Sequence, residues 1–153
     1  MTGSDLSSPP PPPPSEDEVL ARIAEIPYAR FLGLTLELSG DEMTAVLPFQ
    51  ERLIGNPVIP AIHGGVLGAL MEMTALAQLA ITLRATGRGG GYAKPIDVTV
   101  EYLRSGRAVD TFARALIKRM GRRIANVHVE AWQEERDAPI AALHGHFLLP
   151  SEG

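Results

Sequence analysis

Residues 66–83, Val-Leu-Gly-Ala-Leu-Met-Glu-Met-Thr-Ala-Leu-Ala-Gln-Leu-Ala-Ile-Thr-Leu, form the longest apolar run in the chain. Eighteen such residues sit at the lower limit for a membrane span. Glu72 near the middle is costly in lipid, and Gly68, Thr74, Gln78 and Thr82 suit a helix enclosed by a soluble fold. A helix apolar on nearly all sides must be wrapped by the rest of the protein. The expectation is therefore one buried central helix and no membrane partner.

The remaining segments supply the wrapping. Leu34–Leu38 and Thr44–Pro48 read as a strand pair turning at Ser39-Gly40-Asp41. Four β-like segments follow the helix, at 95–104, 108–118, 123–133 and 139–149. Ile96, Val98, Val100 and Tyr102 alternate with polar residues, as on a half-buried strand. Ser15-Glu16-Asp17-Glu18 is a capping box opening a short amphipathic helix that Pro27 is expected to end. Residues 1–14, with six consecutive prolines at Pro9–Pro14, are expected to be a disordered tail, a spacer or an SH3-type ligand. The expected organisation is this tail followed by one α+β domain over 15–150, an antiparallel sheet curled around one helix.

Composition narrows the chemistry. The 153 residues contain no cysteine, which removes disulfides, thiolate metal sites and thiol nucleophiles. A cysteine-free chain suits the cytoplasm. The net charge of −4 lies in residues 1–18, because residues 19–153 carry 14 acidic and 14 basic side chains. A neutral body argues against nucleic acid as a general partner. The basic residues nonetheless cluster: Arg104, Arg107, Arg114, Lys118, Arg119, Arg122 and Arg123 fall within 20 positions. They form either a solvated strand face or a set of forked phosphate contacts. His144 and His146, with His128 nearby, fit an exposed strand face better than a metal site.

The stretch from Asn56 to Gly65 leads directly into the buried helix. Two glycines, Gly64 and Gly65, at a helix start leave backbone N–H groups open, and the helix dipole adds positive potential. This is either an oxyanion site or a tight turn with His63 as a capping residue. Glu72 is set among Gly68, Ala69, Ala75, Leu76 and Leu79. A carboxylate stranded on an apolar face is either paired with a base or functional. Nine residues separate His63 from Glu72, which is ~13.5 Å of helix on opposite faces. If the two share a site, they come from two subunits, and a homodimer follows.

These residues resemble the hotdog-fold acyl-CoA thioesterases, in particular the phenylacetyl-CoA (PaaI-like) branch. The match rests on His63-Gly64-Gly65, the acid nine residues after the histidine, the preceding Asn56-Pro57, Tyr102-Leu103-Arg104 closing the next strand, and Gly121-Arg122-Arg123 opening the penultimate one. The resemblance implies thioester hydrolysis at a dimer interface, in a dimer or a dimer of dimers. Gly64 N–H would polarise the carbonyl, with Asn56 and His63 orienting the site. Glu72 of the other subunit would be general base or nucleophile. Tyr102, Leu103, Arg104 and Ser105, with Gly121, Arg122, Arg123 and Ile124, would bind coenzyme A. That CoA is part of the substrate, so neither a separate cofactor nor a metal is implied. Glu72 stands where many members have Asp, the Asn56–His63 loop is one residue longer, and Pro95 and Leu76 replace hydroxyl residues of some relatives. A non-catalytic acyl-CoA-binding module and an enoyl-CoA hydratase are the competing readings.

Overall fold

The computed structural model describes residue 9 and residues 15–40, 42–88 and 90–151. All of the expected tail but Pro9 lies outside the described residues, as does Asp41 of the first turn.

Helix α1 (Glu16–Ala24) begins where the capping box places it. Glu18 N–H donates to Ser15 Oγ at 3.2 Å, and Ser15 N–H donates to the Glu18 carboxylate at 2.7 Å. The helix does not simply end at Pro27. It caps at Glu25, and Pro27 opens a second helix, α2 (Pro27–Leu32), closed by Gly33 at φ 73°. Proline at the first helical position lacks only an N–H that would have no partner there, so it starts a helix as readily as it stops one.

Strands β1 (Thr35–Ser39) and β2 (Glu42–Leu47) form the expected hairpin. A 3₁₀ turn (Glu51–Leu53) and a small ribbon, β3 (Ile54–Asn56) with β4 (Ala61–Ile62), then lead into α3 (Gly64–Ala85). Strands β5 (Lys94–Tyr102), β6 (Thr111–Met120), β7 (Ile124–Trp132) and β8 (Ala141–Leu148) complete the chain. The main sheet runs β1-β2-β6-β7-β8-β5, antiparallel throughout.

Helix α3 lies against the inner face of this sheet. Leu67, Leu70, Met71, Ala75, Leu79 and Leu83 are buried against Ala113, Ala125, Val127, Val129, Ala131, Leu143 and Phe147. The alanines on the strands let the helix approach closely, and the leucines fill the space between. Each buried Leu contributes roughly 1.5–3 kcal/mol of transfer free energy. Buried Thr74 is satisfied within its own helix, donating to Leu70 O at 2.6 Å. The apolar run is thus the buried core helix of the domain.

The sheet has two edge strands, β1 and β5, and among the described residues β5 pairs with β8 alone. Its apolar residues alternate as expected; Val100 packs against the core, while the others stay largely uncovered. Ile96 is 52% exposed and Tyr102 57%, with Val98 also exposed. A strand of nine residues with an unpaired edge and with Ile96 and Val98 bare is an incomplete element.

Candidate active site

His63 is the N-cap of α3. Its Nδ1 accepts from the Gly65 N–H at 2.9 Å, so the neutral ring carries its proton on Nε2. His63 O accepts from Val66 N–H at 3.0 Å and from Leu67 N–H at 3.3 Å, starting the helical ladder. Among the described residues the Gly64 N–H meets no acceptor. The capping role of His63 and an open donor at Gly64 are therefore compatible: one glycine amide is capped and the other is open.

Gly64 is held from the other side by Tyr102 at the end of β5. The Tyr102 hydroxyl donates to Gly64 O at 2.9 Å. A Cβ on Gly64 would stand 3.1 Å from the Tyr102 ring, and a Cβ on Gly65 would stand 3.0 Å from the His63 ring. A side chain at either glycine would crowd its neighbour by a few tenths of an ångström. Gly64, Leu67, Tyr102, Leu103, Arg104 and Ser105 line a cleft of ≈ 480 Å³ at this corner. The N–H groups of Leu103 and Arg104 both donate to Ile140 O, which fixes the chain after β5. One chain thus brings together Gly64 and the whole of the Tyr102–Ser105 segment.

Asn56 is placed differently. Its Oδ1 accepts from Val58 N–H at 3.0 Å and Ile59 N–H at 3.5 Å, so its side chain shapes the exposed 56–59 loop ahead of His63. That orients the chain entering the site rather than a reacting group.

Glu72 stands eight residues beyond Gly64 on the same helix, ~12 Å along its axis. It is half-buried, in a stripe with Gly68, Ala69, Met73 and Leu76, all likewise partly covered. Among the described residues its carboxylate has no hydrogen-bond or ion-pair partner. No basic side chain explains its presence there. Gly64 and Glu72 do not meet within one chain.

Gly121, Arg122, Arg123 and Ile124 lie at the other end of the sheet. The turn closes with Gly121 N–H donating to Ile124 O at 2.9 Å. Arg122 and Arg123 line a second cleft, of ≈ 750 Å³, with Tyr92, Lys94, Leu148 and Pro150. Lys94 begins β5 and Tyr102 ends it, so this cleft is about 27 Å along the strand from Gly64. Within one chain the two sets of expected CoA-binding residues stand apart.

The basic cluster divides by position. Arg114 pairs with Glu42 at 2.9 Å on the outer sheet face, and Arg107 pairs with Glu134, while Arg104, Arg122 and Arg123 line clefts. His128, His144 and His146 occupy the outer face: His128 Nδ1 lies 3.2 Å from His144 Nδ1, and His146 Nδ1 lies 2.9 Å from Asp97. Among the described residues no three potential ligands converge on a metal position. Sequence reasoning named Tyr102 as a CoA-binding residue but not the bond of its hydroxyl to Gly64 O, and it did not single out Lys94, which lines the second cleft. Only position carries their signal, since each marks an end of β5, an edge strand of the main sheet.

Residues 60–140 match the thioesterase superfamily. A medium/long-chain acyl-CoA thioesterase of Escherichia coli, YigI, is 30% identical over 129 residues, spanning 74% of this chain and 80% of the relative. A solved protein from Chromobacterium violaceum is 32% identical, covers 90% of this chain and 95% of its own, and superposes with a TM-score of 0.68. The E. coli PaaI protein of the phenylacetic acid degradation operon shares the fold at 17% identity. Its TM-score is 0.71, over 86% of this chain and 89% of its own.

Proposed function

The chain belongs to the thioesterase superfamily and is a thioester hydrolase, and from that premise we propose that it cleaves acyl-CoA at a site completed by a second copy of itself. The observation that carries this reading is the pairing of two unmet needs on α3. An open Gly64 N–H and an unpartnered Glu72 carboxylate stand ~12 Å apart, too far to act on one carbonyl. Beside them runs β5, with an unpaired edge and a bare apolar face. Antiparallel pairing of two β5 edges would cover Ile96 and Val98 and bring a partner helix alongside. It would also set the Lys94 end of one strand beside the Tyr102 end of the other. Arg122 and Arg123 of one subunit would then adjoin the Tyr102–Ser105 corner of its partner, where one CoA could span both.

The chemistry follows from these positions. The thioester carbonyl oxygen accepts from Gly64 N–H at the positive end of α3. Glu72 of the facing subunit takes a proton from water as the water oxygen bonds to the carbonyl carbon. The tetrahedral oxyanion then collapses, the C–S bond breaks, and the CoA thiolate takes the proton. The products are the free acid and CoA, and no cofactor is consumed. Glu72 could instead attack the carbonyl itself, giving a mixed anhydride that water opens. Label found in Glu72 after one turnover in ¹⁸O-labelled water would identify the anhydride route, through attack of water on the Glu72 carbonyl. A cytoplasmic setting belongs to the same reading.

The test is CoA release from a panel of acyl-CoA esters, including the medium and long chains named for the E. coli relative and aryl esters. Wild type is expected to turn over at least one class and Glu72→Gln to lose that turnover by 10²-fold or more, roughly. Turnover that survives in Glu72→Gln would overturn the assignment.

A further inference from the structure

Resting on the acyl-CoA reading, we propose that Arg88 is a positioning residue for the nucleotide end of the substrate, and that Lys94 joins Arg122 and Arg123 as a third phosphate contact. Arg88 sits in the connector after α3, its own N–H bonded to Leu83 O at 2.7 Å. Its guanidinium reaches across to the β6–β7 turn, where Nη1 donates to Gly121 O at 3.1 Å and Nη2 donates to Arg122 O. The next carbonyl, Arg123 O, accepts from Leu149 N–H at 2.7 Å. Three successive carbonyls of this turn are therefore held from outside it. The exposed turn is braced, while the side chains of Arg122 and Arg123 are exposed and carry no ion pair among the described residues.

A braced backbone beneath unpaired guanidinium groups fits a binding device better than a solubilising surface. Exposed arginines that only solvate need no fixed turn. Lys94 supports the same reading by register. Lys94 pairs with Leu148, and Leu148 pairs with Ile124, so Lys94 shares a row and a face with the end of the turn, about 9.6 Å away. Lys94 likewise has no ion-pair partner among the described residues. Tyr92 offers a 44% exposed ring in the same cleft. Three cations and one ring around ≈ 750 Å³ match a phosphorylated nucleotide: charge for the phosphates and a face for the base.

The experiment compares one acyl group carried on CoA with the same group on N-acetylcysteamine, which lacks the nucleotide. For Arg88→Gln, KM for the CoA ester is expected to rise about tenfold with kcat within about twofold. The N-acetylcysteamine ester is expected to change by less than about twofold in kcat/KM. Arg88→Lys, able to reach one carbonyl only, should fall between. If Arg88→Gln folds poorly, Lys94→Ala on the exposed strand end reads the same seat, through a raised inhibition constant for CoA. Equal losses on both esters, or an unchanged KM and CoA inhibition constant, would overturn the proposal. Absence of wild-type turnover on any CoA ester would instead defeat the acyl-CoA reading on which it rests.

Discussion

The Tyr102 hydroxyl donates to the backbone carbonyl of Gly64 at 2.9 Å, tying the last residue of β5 to the first residue of α3. An edge strand of the sheet and the helix end with the open amide are thus mechanically joined. Whatever seats β5 also sets the position of the Gly64 N–H. Tyr102→Phe keeps the ring against Gly64 and removes only this bond. The expected loss is ~1 kcal/mol of stability, seen in the urea midpoint. The fall in kcat should exceed any change in KM, because the bond positions a donor rather than binding substrate.

Gly64 allows the amide itself to be tested apart from crowding. Gly64→Ala and Gly64→Pro both place a Cβ 3.1 Å from the Tyr102 ring. Only proline also deletes the N–H. His63 at ψ 131° is already extended, as a residue before proline must be, and the first helical position accepts proline. Gly64→Pro should therefore fold as well as Gly64→Ala yet turn over ~10²-fold more slowly or worse. Equal rates in the two variants would mean that this amide does not hold the oxyanion.

The bare face of β5 predicts an obligatory pairing. Val98→Lys combined with Ile96→Lys places two cations on a strand whose residues are already exposed in the isolated chain. The fold should survive, read by far-UV circular dichroism, while light scattering shows a monomer. Turnover should disappear with the pairing. A fully active monomer would exclude a shared site.

Much of this was legible in the sequence because local signals and tertiary needs agreed. The apolar run at 66–83, the Ser15–Glu18 capping box and the alternation at 141–149 each have one reading and became a buried helix, a helix start and a strand. Pro27 misled because proline suits a helix start as well as its end, and nothing local told the two apart. The ribbon β3–β4 was too short to carry a periodic pattern. At the site, Glu72 was legible as an acid without company, and Gly64 as a glycine at a helix start. The bond from Tyr102 to Gly64 and the role of Arg88 were not, because each side chain acts on a backbone carbonyl more than 30 positions away. A carbonyl leaves no residue-type trace in a sequence.

The central claim, that Gly64 of one subunit and Glu72 of another act on the same carbonyl, is tested most directly by mixing two dead variants. Glu72→Gln retains the amide, and Gly64→Pro retains the carboxylate. After subunit exchange in equal amounts, half of the dimers are hybrids, and each hybrid holds one intact site of two. Activity should return to about a quarter of wild type. If both groups act from one chain, mixing restores nothing, and a mixture as inactive as its components would contradict the account.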